Sequence, residues 1–333
     1  STLSQIESNY QKLQIKDSFQ IIGQKARFQY STLFFFCLCS LCVACVSFSM
    51  PFIYYEPQFY CYQDHDHKSA VKCTQKEACG NDFGYYYDKS IRSVTVEFDL
   101  VCEKKIKITR AQNVIVLVSG FGFYGFSFLS DVLGRKPIFF LAFGLMVLGS
   151  IFVLVQNNFE MMVMGHTIIY FGKYAYISVM YTYCTETMAG ELGKMAITLT
   201  FILYGSGQIV LSCISFGKPF YKVYFWLYVV LFSVMFLLSS FLIETPFFYF
   251  KRRSLLDVYS SLQKIVKINT RSKEQYSEKI KELNNFFLLP EDFVYQSSNN
   301  KKKEKRYNLI DTSQDNQSDN QIINESKEMT EEP

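Results

Sequence analysis

Tryptophan and histidine are nearly missing from these 333 residues, with one of the first and three of the second. Two of the histidines, His65 and His67, flank Asp66, but no closed ligand set is visible around them. The triplet therefore reads as a hydrated, flexible stretch rather than a metal site. No pattern for a nucleotide site, a metal enzyme or a nucleophile triad is present, so there is no catalytic residue to name and no cofactor to expect. Nothing marks a nucleic-acid partner either. The longest polar loop holds no N-glycosylation sequon. The two sequons, at Asn316 and Asn324, lie in the carboxy-terminal tail, whose expected cytoplasmic placement argues against their use.

What the sequence has in quantity is apolar and aromatic side chains, gathered into blocks. Six apolar segments, at 33–55, 111–129, 138–155, 161–183, 196–216 and 223–243, each run to roughly 18–24 residues, enough at about 1.5 Å per residue to cross about 30 Å of hydrocarbon. Mean hydropathy stays modest because the remainder is polar: an arm at 1–32, a loop at 56–110 and the region after Glu244. The first segment follows the polar arm and is too long for the apolar core of a signal peptide, so it is expected to be retained as a helix. Trp226 opens the sixth segment, where an interfacial belt residue would sit. A multi-pass integral membrane bundle follows.

Cysteines separate into two groups. Cys61, Cys73, Cys79 and Cys102 all lie in the polar loop, an even number that suggests two disulfides in an oxidising space and hence a plasma or other secretory-pathway membrane. Three pairings are open. Cys37, Cys39, Cys42, Cys45, Cys184 and Cys213 sit within apolar segments, where a thiol acts as a small packing residue; the C-x-x-C at Cys42 and Cys45 is read in the same way. Arg135, Lys136 and Lys194 occupy the short loops on the other side, and Lys251, Arg252 and Arg253 follow the sixth segment, as the positive-inside rule asks. Lys104, Lys105, Lys107 and Arg110 run against that rule, although long folded loops translocate largely regardless of charge. Both termini are expected in the cytoplasm.

Between the second and third segments runs Leu129-Ser130-Asp131-Val132-Leu133-Gly134-Arg135-Lys136-Pro137. A short charged turn joining two apolar helices needs a glycine for its backbone, and its Asp and Arg can pair where a lone charge would be costly. The turn resembles the G-x-L-x-D-x-x-G-R-K signature of the major facilitator superfamily, with Ser127 where the first glycine belongs. Four further stretches resemble the organic cation and anion transporter (solute carrier) family within it. They are Gly23 to Gln29 before the first segment, Pro57 with Cys61, the run from Ser93 to Cys102, and Glu244-Thr245-Pro246, where Phe247 and Phe248 replace the family's polar and aromatic pair. The run Ser93-Val-Thr-Val-Glu97-Phe98-Asp99-Leu100-Val101-Cys102 is the most specific of these. The resemblance implies an all-α membrane protein in which six transmembrane helices, residues 33–243, form one half of a major-facilitator fold. A disulfide-bearing extracellular loop at 56–110 would join helices 1 and 2.

The resemblance also implies roles for particular residues. Glu186 matches a glutamate that the family keeps at the cytoplasmic end of helix 4, and Lys194 corresponds to one of the basic residues after it. With Asp131, Gly134, Arg135 and Lys136 they are expected to form a charge cluster at the inner mouth that breaks and reforms as the bundle rocks. His166 stands where the family usually has an arginine. His166, Tyr170 and Lys173 follow at i, i+4 and i+7, so they share one helix face. A lysine inside a membrane helix marks a functional site by default, which makes these three the candidates for lining a substrate cavity.

After the sixth segment, Leu255, Tyr259, Leu262 and Val266, then Tyr276, Ile280, Leu283 and Phe287, repeat at helical spacing, the second set behind a Ser272-x-x-Gln275 capping box. Two amphipathic cytoplasmic helices are expected within 244–290. Residues 301–306 are a solvated basic run, and 291–333 are polar and expected to be disordered. Such a chain would carry a small organic ion by alternating access, in a lipid bilayer, with a second six-helix half or other membrane subunits as partner. A non-transporting structural subunit of a larger assembly, derived from such a carrier, is the other reading.

Overall fold

The computed structural model describes residues 22–23, 26–62, 70–80, 84–89, 92–188, 191–217 and 220–287. Most of the arm at 1–32, the triplet at 65–67, the basic run, both sequons and the tail at 291–333 lie outside them. The chain divides into two compact units, 1–269 and 270–333.

The first unit holds six long helices: α1 (Arg27–Phe48), α5 (Lys105–Leu133), α6 (Arg135–Val155), α7 (Phe159–Thr187), α8 (Glu191–Phe216) and α9 (Tyr221–Ser239). The shorter elements of the loop between α1 and α5 are α2 (Met50–Ile53), β1 (Phe59–Tyr62), β2 (Ala70–Cys73), α3 (Gln75–Gly80), β3 (Tyr85–Tyr87) and α4 (Val94–Glu97). Each of the six expected segments has its own long helix, although the first runs past the end of α1 at Phe48 through α2 and the sixth past the end of α9 at Ser239. Helix α5 starts earlier than its apolar run because Lys105, Lys107 and Arg110 continue the helix outward from the hydrocarbon, with solvated side chains.

Five of the six are long and apolar enough to cross a membrane; α7 falls short on hydropathy. Its polar groups explain why, since His166, Lys173 and Glu186 dilute the apolar run without facing lipid. His166 and Lys173 are buried inside the protein. Helix α7 also lies against α6 along the length of both, from Arg135 beside Glu186 at one end to Val153 against Gly165 at the other. A helix in contact with a spanning neighbour from end to end spans the same slab, which gives six crossings.

Packing follows the distribution of small residues. Helix α7 packs on α5 and α6, α1 on α8, and α6 on α9. Buried positions on α5, Ile108, Ala111, Ile115, Ser119, Gly122, Phe126 and Ser130, advance by three or four residues, one stripe on an otherwise exposed helix. Helices α1 and α7 are buried on many sides, as central helices should be. The six cysteines in these segments stay free, all but Cys213 buried, consistent with packing.

The sequence gives 56–110 only as a loop; the structure folds it into a small domain. Three antiparallel strands in the order β2-β1-β3 pair Tyr60 with Lys72 and with Tyr86. The tyrosines that alternate along β1 stack across the sheet, Tyr60 on Tyr86 at 5.1 Å between centroids. Disulfides join Cys61 to Cys73 and Cys79 to Cys102, one of the three open pairings. The second ties the domain to the start of α5. Each bridge closes a short loop worth about 3 kcal/mol of unfolded-chain entropy. Reduction is therefore expected to speed tryptic cleavage at Lys72 and Lys76 while the helical bundle stays resistant; unchanged cleavage would show that the bridges do not hold this domain.

The run from Ser93 to Cys102 pins the domain to the bundle. The Ser93 hydroxyl donates to the Tyr55 carbonyl at 2.7 Å and accepts from the Val96 amide as the cap of α4. Thr95 donates to the Tyr54 carbonyl, and Glu97 pairs with Lys222 of α9 at 3.5 Å. Hydrogen bonds from Lys104 and the Tyr87 hydroxyl, each 2.8 Å, hold the Asp99 carboxyl below the usual range.

Beyond α9, α10 (Pro246–Lys251) and α11 (Leu255–Asn269) complete the first unit. Helix α11 buries Val258, Leu262, Ile265 and Val266 on one face. Its last residue, Asn269, accepts from the Phe28 amide at 2.9 Å, capping the first turn of α1. The second unit contributes α12 (Lys273–Phe287), where the Gln275 amide donates to Ser272 Oγ at 3.2 Å, half of the expected capping box.

Candidate functional site

At the end of the bundle opposite the disulfide domain, Gly134 links α5 to α6 with φ of 105°. A Cβ there would meet Glu244 Oε2 at 2.6 Å, so the position needs glycine both for its backbone and for space. Glu244 lies close because it caps α6: its two oxygens accept from the amides of Arg135 and Lys136, each at 2.9 Å. A carboxylate there satisfies two of the helix's free amides and sits at the positive end of its dipole.

Arg135 is the centre of the cluster and is fully buried. Its Nη2 reaches Asp131 at 2.9 Å and Glu186 at 2.8 Å, while Nη1 donates to the Ser130 carbonyl at 3.0 Å. Glu186 also accepts from Thr245 Oγ1 at 2.6 Å, and Lys251 approaches Asp131 at 3.4 Å. Phe248 lies beside Arg135 and carries Arg252 on its ring at 4.6 Å; Arg252 also donates to the Val132 carbonyl. Lys136 donates to the Ser240 carbonyl at 2.7 Å. One arginine thus joins the α5–α6 turn to the end of α7, and Glu244 and Thr245 join both to the segment after α9.

The expected cluster residues Asp131, Gly134, Arg135, Lys136 and Glu186 come together here. Lys194 does not. It pairs with Glu191 on its own helix at 3.0 Å, with both side chains largely exposed, because α8 places it on the solvated face of its first turn. Lys251 takes the basic place beside Asp131. Glu244, Thr245 and Phe248 are the residues that sequence reasoning missed as cluster members. The signal for Glu244 and Thr245 was the Glu-Thr-Pro string, a motif match with no contact attached, and Phe248 showed only as a replacement after it.

The second group lies within the bundle. His166 is fully buried, and its Nδ1 is 3.5 Å from the Tyr54 hydroxyl. Rings of Tyr54, Tyr170 and Phe225 surround it at 6.1, 5.3 and 5.5 Å. Tyr170 turns its hydroxyl to the Val46 carbonyl of α1 at 3.1 Å. The Lys173 ammonium sits over the rings of Tyr170 at 4.1 Å and Tyr174 at 4.4 Å, favourable cation–π contacts. The three expected cavity residues share one face of α7, which packs toward α1 and α9.

Set beside known proteins, residues 34–287 match the family model described as Sugar (and other) transporter. Solute carrier family 22 member 16 of Xenopus laevis is 25% identical over 198 residues, 58% of this chain and 34% of that protein. The carcinine transporter of Drosophila melanogaster is 22% identical over 203 residues, 60% of this chain and 29% of that protein. Organic cation/carnitine transporter 2 of Rattus norvegicus is 25% identical over 143 residues, 43% of this chain and 26% of that protein. The chain spans about a third or less of the length of these relatives, which are named as carriers and not as enzymes. With residues 34–287 matched by the family model and six long helices in place, this integral membrane protein belongs to the sugar (and other) transporter family of the major facilitator superfamily.

Proposed function

We propose that this chain forms the amino-terminal six-helix half of a carrier that moves small organic ions by alternating access. The observation that carries the reading is Arg135, a buried cation that ties three helix ends together through two carboxylates at one mouth of the bundle. A carrier that rocks around a central site needs contacts at each mouth that form in one state and break in the other. A few charge-assisted hydrogen bonds suit that task, since they are strong when aligned and lost over a short displacement. The mouth with Arg135 is the cytoplasmic one, together with the arm and the helices of 244–290; the disulfide domain faces outside.

Helices α5 and α8 support the rest of the reading. They are the least buried of the spanning helices, and α5 exposes Leu117, Phe121, Tyr124 and Phe128 along one side. A second six-helix half would cover such faces and close the substrate path. The names of the relatives, carriers of carcinine and of organic cations and carnitine, support a small organic ion as cargo.

The test is uptake of labelled organic cations and anions by cells expressing the complete gene product. Saturable uptake is expected. Glu186→Gln keeps the shape and the Thr245 contact but removes the charge facing Arg135, and is expected to change the turnover rate roughly tenfold with little change in KM. Absence of saturable uptake for every labelled ion, with the protein folded at the cell surface, would favour a structural subunit instead.

A further inference from the structure

Lys173 is a polar feature of the bundle that the mouth cluster does not explain. Lys173 is 4% exposed, and among the described residues no carboxylate pairs with it. Its neighbours are tyrosine rings. A cation held in an apolar bundle without a counter-charge is costly, and it persists where it serves a ligand or an ion path. The two ring contacts recover part of that cost and leave the ammonium's three donors free for a ligand.

A second, independent observation lies on the same face. His166 Nε2 is buried and has no hydrogen-bond partner among the described residues, although its other nitrogen is near Tyr54. Buried polar atoms are rarely left without a partner, and those that are call for a ligand or a water. Helical side chains lean toward the amino-terminal end of their helix, so the long stem of Lys173 reaches back over Tyr170 toward His166. The Tyr170 ring touches both, 4.1 Å from the ammonium and 5.3 Å from the imidazole centroid. A cation with no carboxylate partner, an unpartnered ring nitrogen and the rings around them suit a solute with an anionic end, an apolar or aromatic body and one further polar atom.

We infer that Lys173 is the receptor for a carboxylate on the transported solute, and that His166 Nε2 meets a second polar atom of the same molecule. The inference rests on the carrier reading and adds the charge that this chain's own residues select. Lys173 is then a specificity-determining residue, and a solute with only a cationic group is disfavoured by the ammonium already in place.

Phenylacetate, phenylacetamide and phenethylammonium give one apolar body with an anionic, a neutral and a cationic end. Purified complete gene product is titrated with each in detergent, following thermal unfolding, and each is set to compete in the uptake assay. Phenylacetate is expected to stabilise the protein and to compete, and the other two to do so far less. Lys173→Met, close in size and apolar, is expected to weaken phenylacetate binding by roughly thirtyfold or more without lowering the ligand-free unfolding temperature. Lys173→Arg is expected to restore the preference. Equal effects of the three compounds, stronger binding of the cation, or a Lys173→Met protein that keeps its phenylacetate affinity would overturn the inference. Stabilisation by phenylacetate that depends on Lys173, in a protein showing no uptake, would keep Lys173 as a carboxylate receptor and remove the carrier reading, so the two fail separately.

Discussion

Arg135→Ala is expected to destabilise the folded protein by about 3–5 kcal/mol, the cost of removing one partner from a buried ion pair. The size follows from what the substitution leaves behind. Glu186, only 12% exposed at its side chain, keeps the Thr245 hydroxyl but loses its counter-charge, and the Ser130 carbonyl loses its donor. The measurement is thermal unfolding of the detergent-solubilised protein, with a fall in Tm on the order of 10 °C. Arg135→Lys should recover only part, because an ammonium cannot offer the planar fork that serves Asp131, Glu186 and Ser130 at once.

The order of effects within the cluster tests the geometry more sharply than any single value. Asp131 and Lys251 have side chains 54% and 59% exposed, so Asp131→Asn should cost no more than about 1 kcal/mol. If Asp131→Asn proves as damaging as Arg135→Ala, Arg135 is not the centre of the cluster. Such an outcome would also weaken the link between the mouth and alternating access, since the charge holding the helices together would then lie at the exposed rim.

Residues that act locally were the ones the sequence could show. Six apolar runs dictate six helices whatever their neighbours, and Asp131, Gly134 and Arg135 fall within one turn, where spacing alone brings them together. His166, Tyr170 and Lys173 were legible for the same reason, being one face of a single helix. Contacts that join distant parts of the chain were not. The Glu244 cap on α6 spans 109 residues, and nothing in Glu-Thr-Pro says which helix end it will meet. The small sheet was hidden because its strands are three or four residues long and its order depends on long-range pairing. Lys194 shows the converse: a motif position suggested a place in the cluster, but its side chain found a nearer partner in Glu191.

Close backbone contact between α6 and α7 carries the second large effect. Helices α6 and α7 meet through glycines: a Cβ on Gly172 would lie 2.6 Å from the Ala142 carbonyl oxygen, and one on Gly149 would lie 2.7 Å from that of Gly165. Backbone atoms cannot turn aside as a side chain can. Inside a membrane, helices associate largely through such close packing, because lipid offers no hydrophobic penalty for separating them. Gly172→Leu therefore has to push α6 away from α7 and loosen the ring contacts beyond it, Phe139 with Tyr176 and with Tyr183 at 6.0 and 5.7 Å. Since overpacking alone costs about 1–3 kcal/mol and a backbone clash adds to it, little folded protein is expected. Size-exclusion chromatography after solubilisation should show loss of the monodisperse peak. Gly125 of α5 is the control: nothing lies within 4 Å of a Cβ there, so Gly125→Ala should leave the peak intact and add up to about 1 kcal/mol through helix propensity alone. A Gly172→Leu protein that elutes and melts like the Gly125→Ala control would mean that α6 and α7 are not in backbone contact.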